Sequence, residues 1–300
     1  MRNNRIVIGT RGSKLALAQA GIVQRRLQQV LPYVQVETRI IVTSGDRDRK
    51  SDLARIGGKG IFIRELERAL VDGAIDVAVH SFKDVTTRLA PALVLCAFLQ
   101  PESVADVMVT EGNKPLDFLP QGALIGTGSV RRKALLQRLR PGLRISEIRG
   151  NIDTRIAKVD RREYDGVMLS EAGLIRLGLE DRVSVRFDPG KFYPAPGQGV
   201  ITIEARETDD EIRRICSLIG DKRQLHVSTA ELALLDAVGF DCRTPLGVYS
   251  RTDGGRLFMN GFFIEDRTGA CRECGTDGPL SDAAGVGAEL ASMLLHGGDG

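Results

Sequence analysis

The chain has 300 residues, 42% of them apolar, which is enough for two or three domains with separate cores. Its 42 basic and 39 acidic side chains leave a net charge of +3, so the surface is mixed in sign and carries no polycationic footprint for nucleic acid. No run approaches the ~18 uninterrupted apolar residues of a membrane span and residues 1–5 contain no apolar leader, so the expected location is cytoplasmic.

The pattern predicts a strand over 5–8, a turn at Gly9-Thr10-Arg11-Gly12-Ser13 and an amphipathic helix over 14–30. Leu15, Leu17, Ala18, Ile22 and Leu27 outline the apolar side of that helix, and Pro32 stops it. A strand over 34–42 follows, then a charged, solvated loop at 46–50. Gly57-Gly58-Lys59-Gly60 next opens a helix over 61–70. Ile75, Val77 and Val79 alternate with smaller or polar residues and read as a half-buried strand, which ends in a turn carrying Lys83 and Asp84. Strands at 93–98 and 107–109 flank a hinge at 100–105.

Strands at 123–126, 143–148 and 166–169 alternate with helices at 130–139 and 152–159, which predicts a parallel sheet. A strand at 200–205 can rejoin the first domain. Beyond it come a helix over 228–238, strands near 246–250, 256–264 and 269–273, and a closing helix over 282–295. Asp253-Gly254-Gly255 and Arg267-Thr268-Gly269 supply hairpin turns, and the whole reads as a small α+β domain.

Three strand-to-helix turns carry arginines beside small residues: Thr10-Arg11-Gly12-Ser13, Gly126-Thr127-Gly128-Ser129-Val130-Arg131-Arg132 and Arg149-Gly150-Asn151-Ile152-Asp153-Thr154-Arg155. Free N–H groups and the helix dipole favour anions at such points, and the planar guanidinium fork fits a carboxylate. A solvated or ion-paired arginine is the plainer reading of any single turn; recurrence in both α/β domains favours a multi-anion cleft. A P-loop and the third glycine of the dinucleotide fingerprint are both missing.

Asp84 is either a local cap or partner of Lys83, or an acceptor for a ligand offering N–H groups or developing positive charge. Cys96, Cys216, Cys242, Cys271 and Cys274 are odd in number and irregularly spaced, unlike a disulfide scaffold. Cys242, beside Arg243, is either a partly ionised thiol open to covalent attachment or an inert apolar filler. Cys271 and Cys274 form half a zinc or redox motif without a second half, and read as incidental. His80 is a base or a satisfied core residue.

His-Ser-Phe-Lys-Asp at 80–84, Gly-Gly-Lys-Gly at 57–60, Ser-Val-Arg-Arg at 129–132, Arg-Gly-Asn at 149–151, Pro-Gly-Gln-Gly at 196–199 and Cys-Arg-Thr-Pro at 242–245 together resemble, in order, the porphobilinogen deaminase (hydroxymethylbilane synthase) family. The resemblance implies two periplasmic-binding-protein-like α/β domains plus a small α+β C-terminal domain, divided as 1–99 with 200–220, 100–199 and 221–300. It also implies a transferase of tetrapyrrole (porphyrin and heme) biosynthesis that adds four porphobilinogen units to a dipyrromethane cofactor held by a thioether to Cys242. Ammonia leaves at each addition, and the linear tetrapyrrole hydroxymethylbilane is released.

By resemblance Asp84 is the catalytic carboxylate. Lys83, Asp84, Thr127, Ser129, Arg131, Arg132, Arg149, Gly150 and Arg155 are cofactor contacts, and Arg11, Ser13, Gln19, Arg149, Arg155, Arg176 and Gln198 are substrate or chain contacts, with no metal. The expected protein is a monomer with a small-molecule substrate. The pattern departs from the family at 100–106, at Gly128 and at Gly239-Phe240-Asp241. A non-catalytic cytosolic anion- or pyrrole-binding protein on the same fold is the competing expectation, distinguished by the absence of a covalent adduct and of ammonia release.

Overall fold

A computed structural model of the protein describes residues 4–42, 63–86, 88–239, 244–265 and 269–297; the 46–50 loop, the Gly57-Gly58-Lys59-Gly60 motif, Cys242 and the Arg267-Thr268 turn lie outside them. In chain order the elements used here are β1 (Arg5–Thr10), α1 (Lys14–Val30), β2 (Gln35–Ile40), α2 (Arg64–Val71), β3 (Val77–Ser81), β4 (Leu93–Phe98), β5 (Asp106–Thr110), β6 (Leu124–Gly126), α3 (Val130–Leu139), β7 (Arg144–Ser146), α4 (Ile152–Asp160), β8 (Gly166–Ser170), α5 (Glu171–Arg176), β9 (Val185–Arg186), β10 (Ile201–Arg206), α6 (Asp210–Ile219), α7 (Lys222–Val238), β11 (Leu246–Asp253), β12 (Arg256–Ile264), β13 (Cys271–Pro279) and α8 (Ala283–His296). The chain divides into two compact units, Met1–Pro101 with Val200–Ser228, and Glu102–Gly199 with Thr229–Gly300. No described helix is long and apolar enough to cross a membrane.

The first unit holds a five-stranded sheet in the order β2-β1-β3-β10-β4. Side chains alternate across it: Ile6 and Ile8 meet Val23 and Leu27 of α1 and Ile212 and Ile215 of α6, while Val7 meets Leu66 and Leu70 of α2. Both faces are therefore covered, and β3 is buried on both sides rather than half-buried, with Val77 and Val79 in one core and Ala78 in the other. Ser13, the last residue of the predicted turn, caps α1. Helix α6, which the chain-order reading passes over, is capped by the Asp209 side chain accepting the Ile212 N–H at 3.2 Å.

The second unit holds a five-stranded sheet of the same pattern, β7-β6-β8-β5-β9. Val107 and Val109 face Ile156 and Val159 of α4, and Met108 faces the opposite core, with Leu135 and Leu136 of α3. Neither sheet is wholly parallel as the alternation suggests. β10 runs antiparallel to β3 and β4, and β5 runs antiparallel to β8 and β9. Each is the first strand after the chain enters its unit, so no crossover helix from a neighbouring strand dictates its direction.

A three-stranded antiparallel sheet, β11-β12-β13, completes the second unit. Its Phe262 enters the same core as Leu135, Phe187 and Phe192. On the other face Gly261 lies under Leu290 and Leu294 of α8. Helix α8 also crosses α7 at Gly287, where a Cβ would fall inside van der Waals contact of the Ala230 backbone. A Cβ at Gly285 would meet only the end of the Asp282 side chain. Gly287→Ala is expected to destabilise the protein by about 1–3 kcal/mol, overpacking outweighing the gain in helix propensity, whereas Gly285→Ala is neutral or stabilising; urea denaturation of the pair checks the difference.

Candidate functional site

In the first unit β1 and β3 are parallel neighbours, so the turns leaving their C-terminal ends emerge at one sheet edge. After β1, Ser13 Oγ accepts the Ala16 N–H at 3.2 Å and starts α1, with half-buried Arg11 in the turn between. After β3 the chain makes a single tight turn, Phe82–Asp84. Phe82 is buried edge-on to Phe98, ring centroids 4.9 Å apart. Its amide donates to Val200 O at 3.0 Å, which fixes the start of the turn. Lys83 is half-buried and Asp84 exposed.

No hydrogen bond or ion pair among the described residues engages the Asp84 carboxylate, so neither the cap nor the pairing with Lys83 that turn chemistry allows is formed. Gln19 is buried on α1 and donates to Ser81 Oγ at 2.8 Å, bracing the helix against the end of β3. His80 is buried with its Nε2 2.9 Å from Glu204 Oε2, as a core histidine with a partner.

In the second unit the C-terminal ends of β6, β7 and β8 share an edge with the N-terminal end of β5, because Asp106 stands in register with Ser170. Fully buried Asp106 accepts Arg131 Nη1 at 2.6 Å, Arg132 Nε at 2.8 Å and Gln198 Nε2 at 3.0 Å. Burial works to raise its pKa, but the charges of Arg131 and Arg132 and the hydrogen bonds from Arg131 and Gln198 prevail and hold it at about 2, below the ordinary 3.8. Arg131 also donates to Tyr193 O at 2.5 Å and Arg132 to Met168 O at 3.1 Å. Both guanidinium groups are thus buried against an internal counter-ion.

Thr127 Oγ1 accepts the Ser129 N–H at 3.1 Å, and Ser129 Oγ accepts the Arg132 N–H at 3.4 Å, so both hydroxyls shape the start of α3. Arg149 is exposed and donates to Glu147 Oε1 at 2.8 Å, a pair worth little in water. Arg155 Nε donates to Gly150 O at 2.7 Å. Gly150 has φ +115, and a Cβ there would crowd Thr154, so the turn requires glycine.

Arg176, at the end of α5, donates through Nη2 to Gly199 O, while its buried Nε finds no acceptor among the described residues. Burial lowers its pKa to about 10 against the pull of Glu102, the one charge acting the other way. Gln198 Oε1 is likewise buried with no donor among the described residues, its Nε2 being engaged by Val104 O at 2.8 Å and by Asp106. The flanking Gly197 and Gly199 both have positive φ, +74 and +85, which shapes the turn that carries Gln198.

Two functional groups escape the sequence reading. Asp106 opens an apolar strand, and Glu231 interrupts the apolar stripe of α7 formed by Ala230, Leu234 and Leu235. Buried Glu231 accepts the Gly197 N–H at 2.7 Å and the Ser250 hydroxyl at 2.8 Å. Burial lifts its pKa to about 7, although both hydrogen bonds act to lower it. Cys271 and Cys274 lie three residues apart on β13 and so face opposite sides of the strand; Cys271 Sγ accepts from Arg138 Nη1 at 2.8 Å, and burial raises the pKa of both thiols. Among the described residues no group of three or more His, Cys, Asp or Glu side chains is placed to hold a metal.

Residues 6–214 match the family model described as "Porphobilinogen deaminase, dipyromethane cofactor binding domain". The porphobilinogen deaminases of Nitrobacter hamburgensis and Nitrobacter winogradskyi are each 43% identical over 290 residues, 96% of this chain and 92% of theirs. Among solved structures, the methionine binding protein MetQ aligns at 14% identity and TM-score 0.44, covering 77% of this chain and 96% of its own. The periplasmic VFT2 domain of Bordetella pertussis BvgS aligns at 15% and 0.43, covering 77% and 92%.

The two buried acids set opposite pH limbs. Asp106 has a folded pKa below its unfolded value, so its contribution is complete above about pH 4 and is lost as pH falls through 2. Glu231 has a folded pKa above the ordinary 4.5, so the folded state keeps a proton that the unfolded chain releases, and stability declines as pH rises from 4.5 to about 7. Asp106→Asn is expected to cost about 3–5 kcal/mol at neutral pH by leaving two buried arginines without a counter-charge. Glu231→Gln is expected to flatten the neutral limb, which amounts to about 3 kcal/mol. Urea denaturation between pH 3 and 8 measures both.

Proposed function

The chain belongs to the porphobilinogen deaminase family, and from that premise we propose that it is a hydroxymethylbilane synthase, joining four porphobilinogen units in turn to a covalently held dipyrromethane with loss of ammonia at each step. The observation that supports the residue roles is that two of the buried polar atoms left without a hydrogen bond among the described residues are Arg176 Nε, a donor, and Gln198 Oε1, an acceptor. A pyrrole bearing acetate and propionate offers the complement to both: a carboxylate for the guanidinium and a ring N–H for the carboxamide oxygen. Each orphan costs about 1–3 kcal/mol while unmet, and binding such a ring removes that cost.

The residues fit the dipyrromethane on the same ground, since its two rings carry the same carboxylates and N–H groups. Cys242, outside the described residues, is the attachment point by family resemblance. When bound, the dipyrromethane supplies the nucleophilic pyrrole carbon to which the incoming unit is joined.

The chain's own groups do the rest. Arg149, Arg155 and Arg176 bind carboxylates. Thr127, Ser129 and Gly150 shape the helix starts, where free N–H groups favour anions. Arg131 and Arg132 share the single counter-charge of Asp106 and so supply a rigid, buried edge that keeps one net positive charge. Asp84, exposed and unpaired, accepts the pyrrole N–H and stabilises the positive charge that builds on the ring as ammonia leaves, with Lys83 beside it. Arg11, Ser13 and Gln19 border the same edge.

The reading also takes the protein to be a cytoplasmic monomer, with domains 1–99 plus 200–220, 100–199 and 221–300. Intact mass is expected to exceed the sequence mass by two pyrrole units, and Cys242→Ser is expected to abolish that excess and tetrapyrrole synthesis while Cys271→Ser and Cys274→Ser preserve them. Asp84→Asn, which keeps the shape and removes the charge, is expected to slow single-turnover ammonia release on the order of 10²-fold or more in protein that carries the adduct. Release at the wild-type rate would return Asp84 to a role in the turn alone.

A further inference from the structure

Gln198 and Gly199 lie in a turn that departs from ordinary backbone geometry on both sides of Gln198. Its internal backbone bond, Gln198 N to Ala195 O at 3.0 Å, leaves the Gly197 amide to be met from elsewhere. It is met by Glu231. One carboxylate oxygen accepts that amide and the other accepts the hydroxyl of Ser250 on β11, so a single side chain of α7 joins the turn to the C-terminal sheet.

No charged group on the turn, on β11 or on α8 acts on this carboxylate, and α8 approaches its neighbour Ala230 at Gly287. Glu231 is therefore not one half of an ion pair retained for stability. It is a buried acid that costs stability as pH rises toward neutral, and one of its two hydrogen bonds holds Gly197. Gly197 immediately precedes the two residues that hold Asp106 and Arg176: Gln198 through its carboxamide and Gly199 through its carbonyl oxygen.

We propose that Glu231 is a positioning residue for the reaction: it fixes the Pro196-Gly197-Gln198-Gly199 turn, and through it the Gln198 oxygen and the Arg176 guanidinium that receive the pyrrole. The inference rests on the substrate role given to those two residues above.

A carboxamide preserves both contacts. The oxygen of a Gln at this position accepts the Gly197 N–H, and its NH2 donates to the Ser250 hydroxyl, which accepts as readily as it donates. Leu fills similar space and leaves the Gly197 amide buried and unmet. Asp is one methylene shorter and cannot span both donors.

The test uses the full-length protein with its adduct verified by mass, comparing wild type with Glu231→Gln, Glu231→Leu and Glu231→Asp. In the Leu variant KM for porphobilinogen is expected to rise about tenfold with kcat within about threefold, as the loss of one buried hydrogen bond implies. Hydrogen–deuterium exchange of the peptide spanning 195–199 is expected to accelerate in the same variant, and Gln is expected to restore both readouts. If the Leu variant does not fold, the Asp variant carries the same two expectations. Wild-type KM and wild-type protection in a variant that has lost the contacts would overturn the proposal, as would failure of Gln to restore them. Slow exchange at 195–199 in wild type but fast in the Leu variant, with KM unchanged in Arg176→Gln and Gln198→Ala, would instead show that the turn is held by Glu231 as described while the substrate role of those two residues is wrong.

Discussion

Asp106 offers two oxygens to two guanidinium groups and a carboxamide in a place closed to water, and the chemistry-bearing edge of the second sheet is arranged around it. Burying three charges together is costly unless their geometry is good and the remaining N–H groups are met. Here Tyr193 O and Met168 O take further donors. The arrangement depends on topology. Asp106 is the first residue of β5, and β5 runs against β8, so its first residue lies where the parallel strands end and the helices begin. A parallel β5 would carry that acid to the opposite edge and leave Arg131 and Arg132 facing each other with no counter-charge.

The consequence is a division between polar groups that are spent and polar groups that are open. Arg131, Arg132, Gln19, Thr127 and Ser129 have their hydrogen bonds inside the fold and act as framework. Arg176 Nε, Gln198 Oε1 and the Asp84 carboxylate do not. Buried orphans are scarce in folded proteins because each forfeits the hydration it had in the unfolded chain. Arg176 Nε and Gln198 Oε1, one a donor and one an acceptor, both belong to side chains fixed at the 197–199 turn.

Much of the fold was legible because it is written locally. Ser13, the apolar spacing to Leu27 and Pro32 delimit α1 at the residues observed, and Asp253-Gly254-Gly255 marks the β11–β12 hairpin. Helix α6 carries the same kind of signal, an Asp209 cap followed by Ile212, Ile215, Cys216 and Ile219 on one face. Strand direction is different. Asp106-Val107-Met108-Val109-Thr110 is buried on both faces and reads the same whichever way it runs, and only the sheet it joins decides. The site divides likewise. The arginine-bearing turns and Asp84 are visible as residue types at strand ends, but whether an arginine is spent or open is not, because the carboxylate that settles it for Arg131 and Arg132 lies some 25 residues earlier in the chain.

The antiparallel strands also explain how connecting segments come to supply functional groups. In the first unit β10 opens opposite Ser81, and the carbonyl of Val200 just before it accepts the Phe82 amide at 3.0 Å, setting the turn that presents Asp84. In the second, β5 opens opposite Ser170, and the segment before it contributes Val104 O to Gln198 and Ser103 Oγ to Glu171 at 2.7 Å. In each unit a strand that enters antiparallel begins where its parallel neighbours end. The chain that has just crossed therefore arrives at the edge where helix starts and turns already favour ligands, and not at the far edge of the sheet. A parallel strand in either place would need its connection to reach the far edge first, and the groups on it would be lost to the site. The single reversed strand in each sheet thus gives residues of a connection, rather than of a regular element, fixed places: Val200 O accepts the Phe82 amide in the first unit, and Gln198 donates to Asp106 in the second.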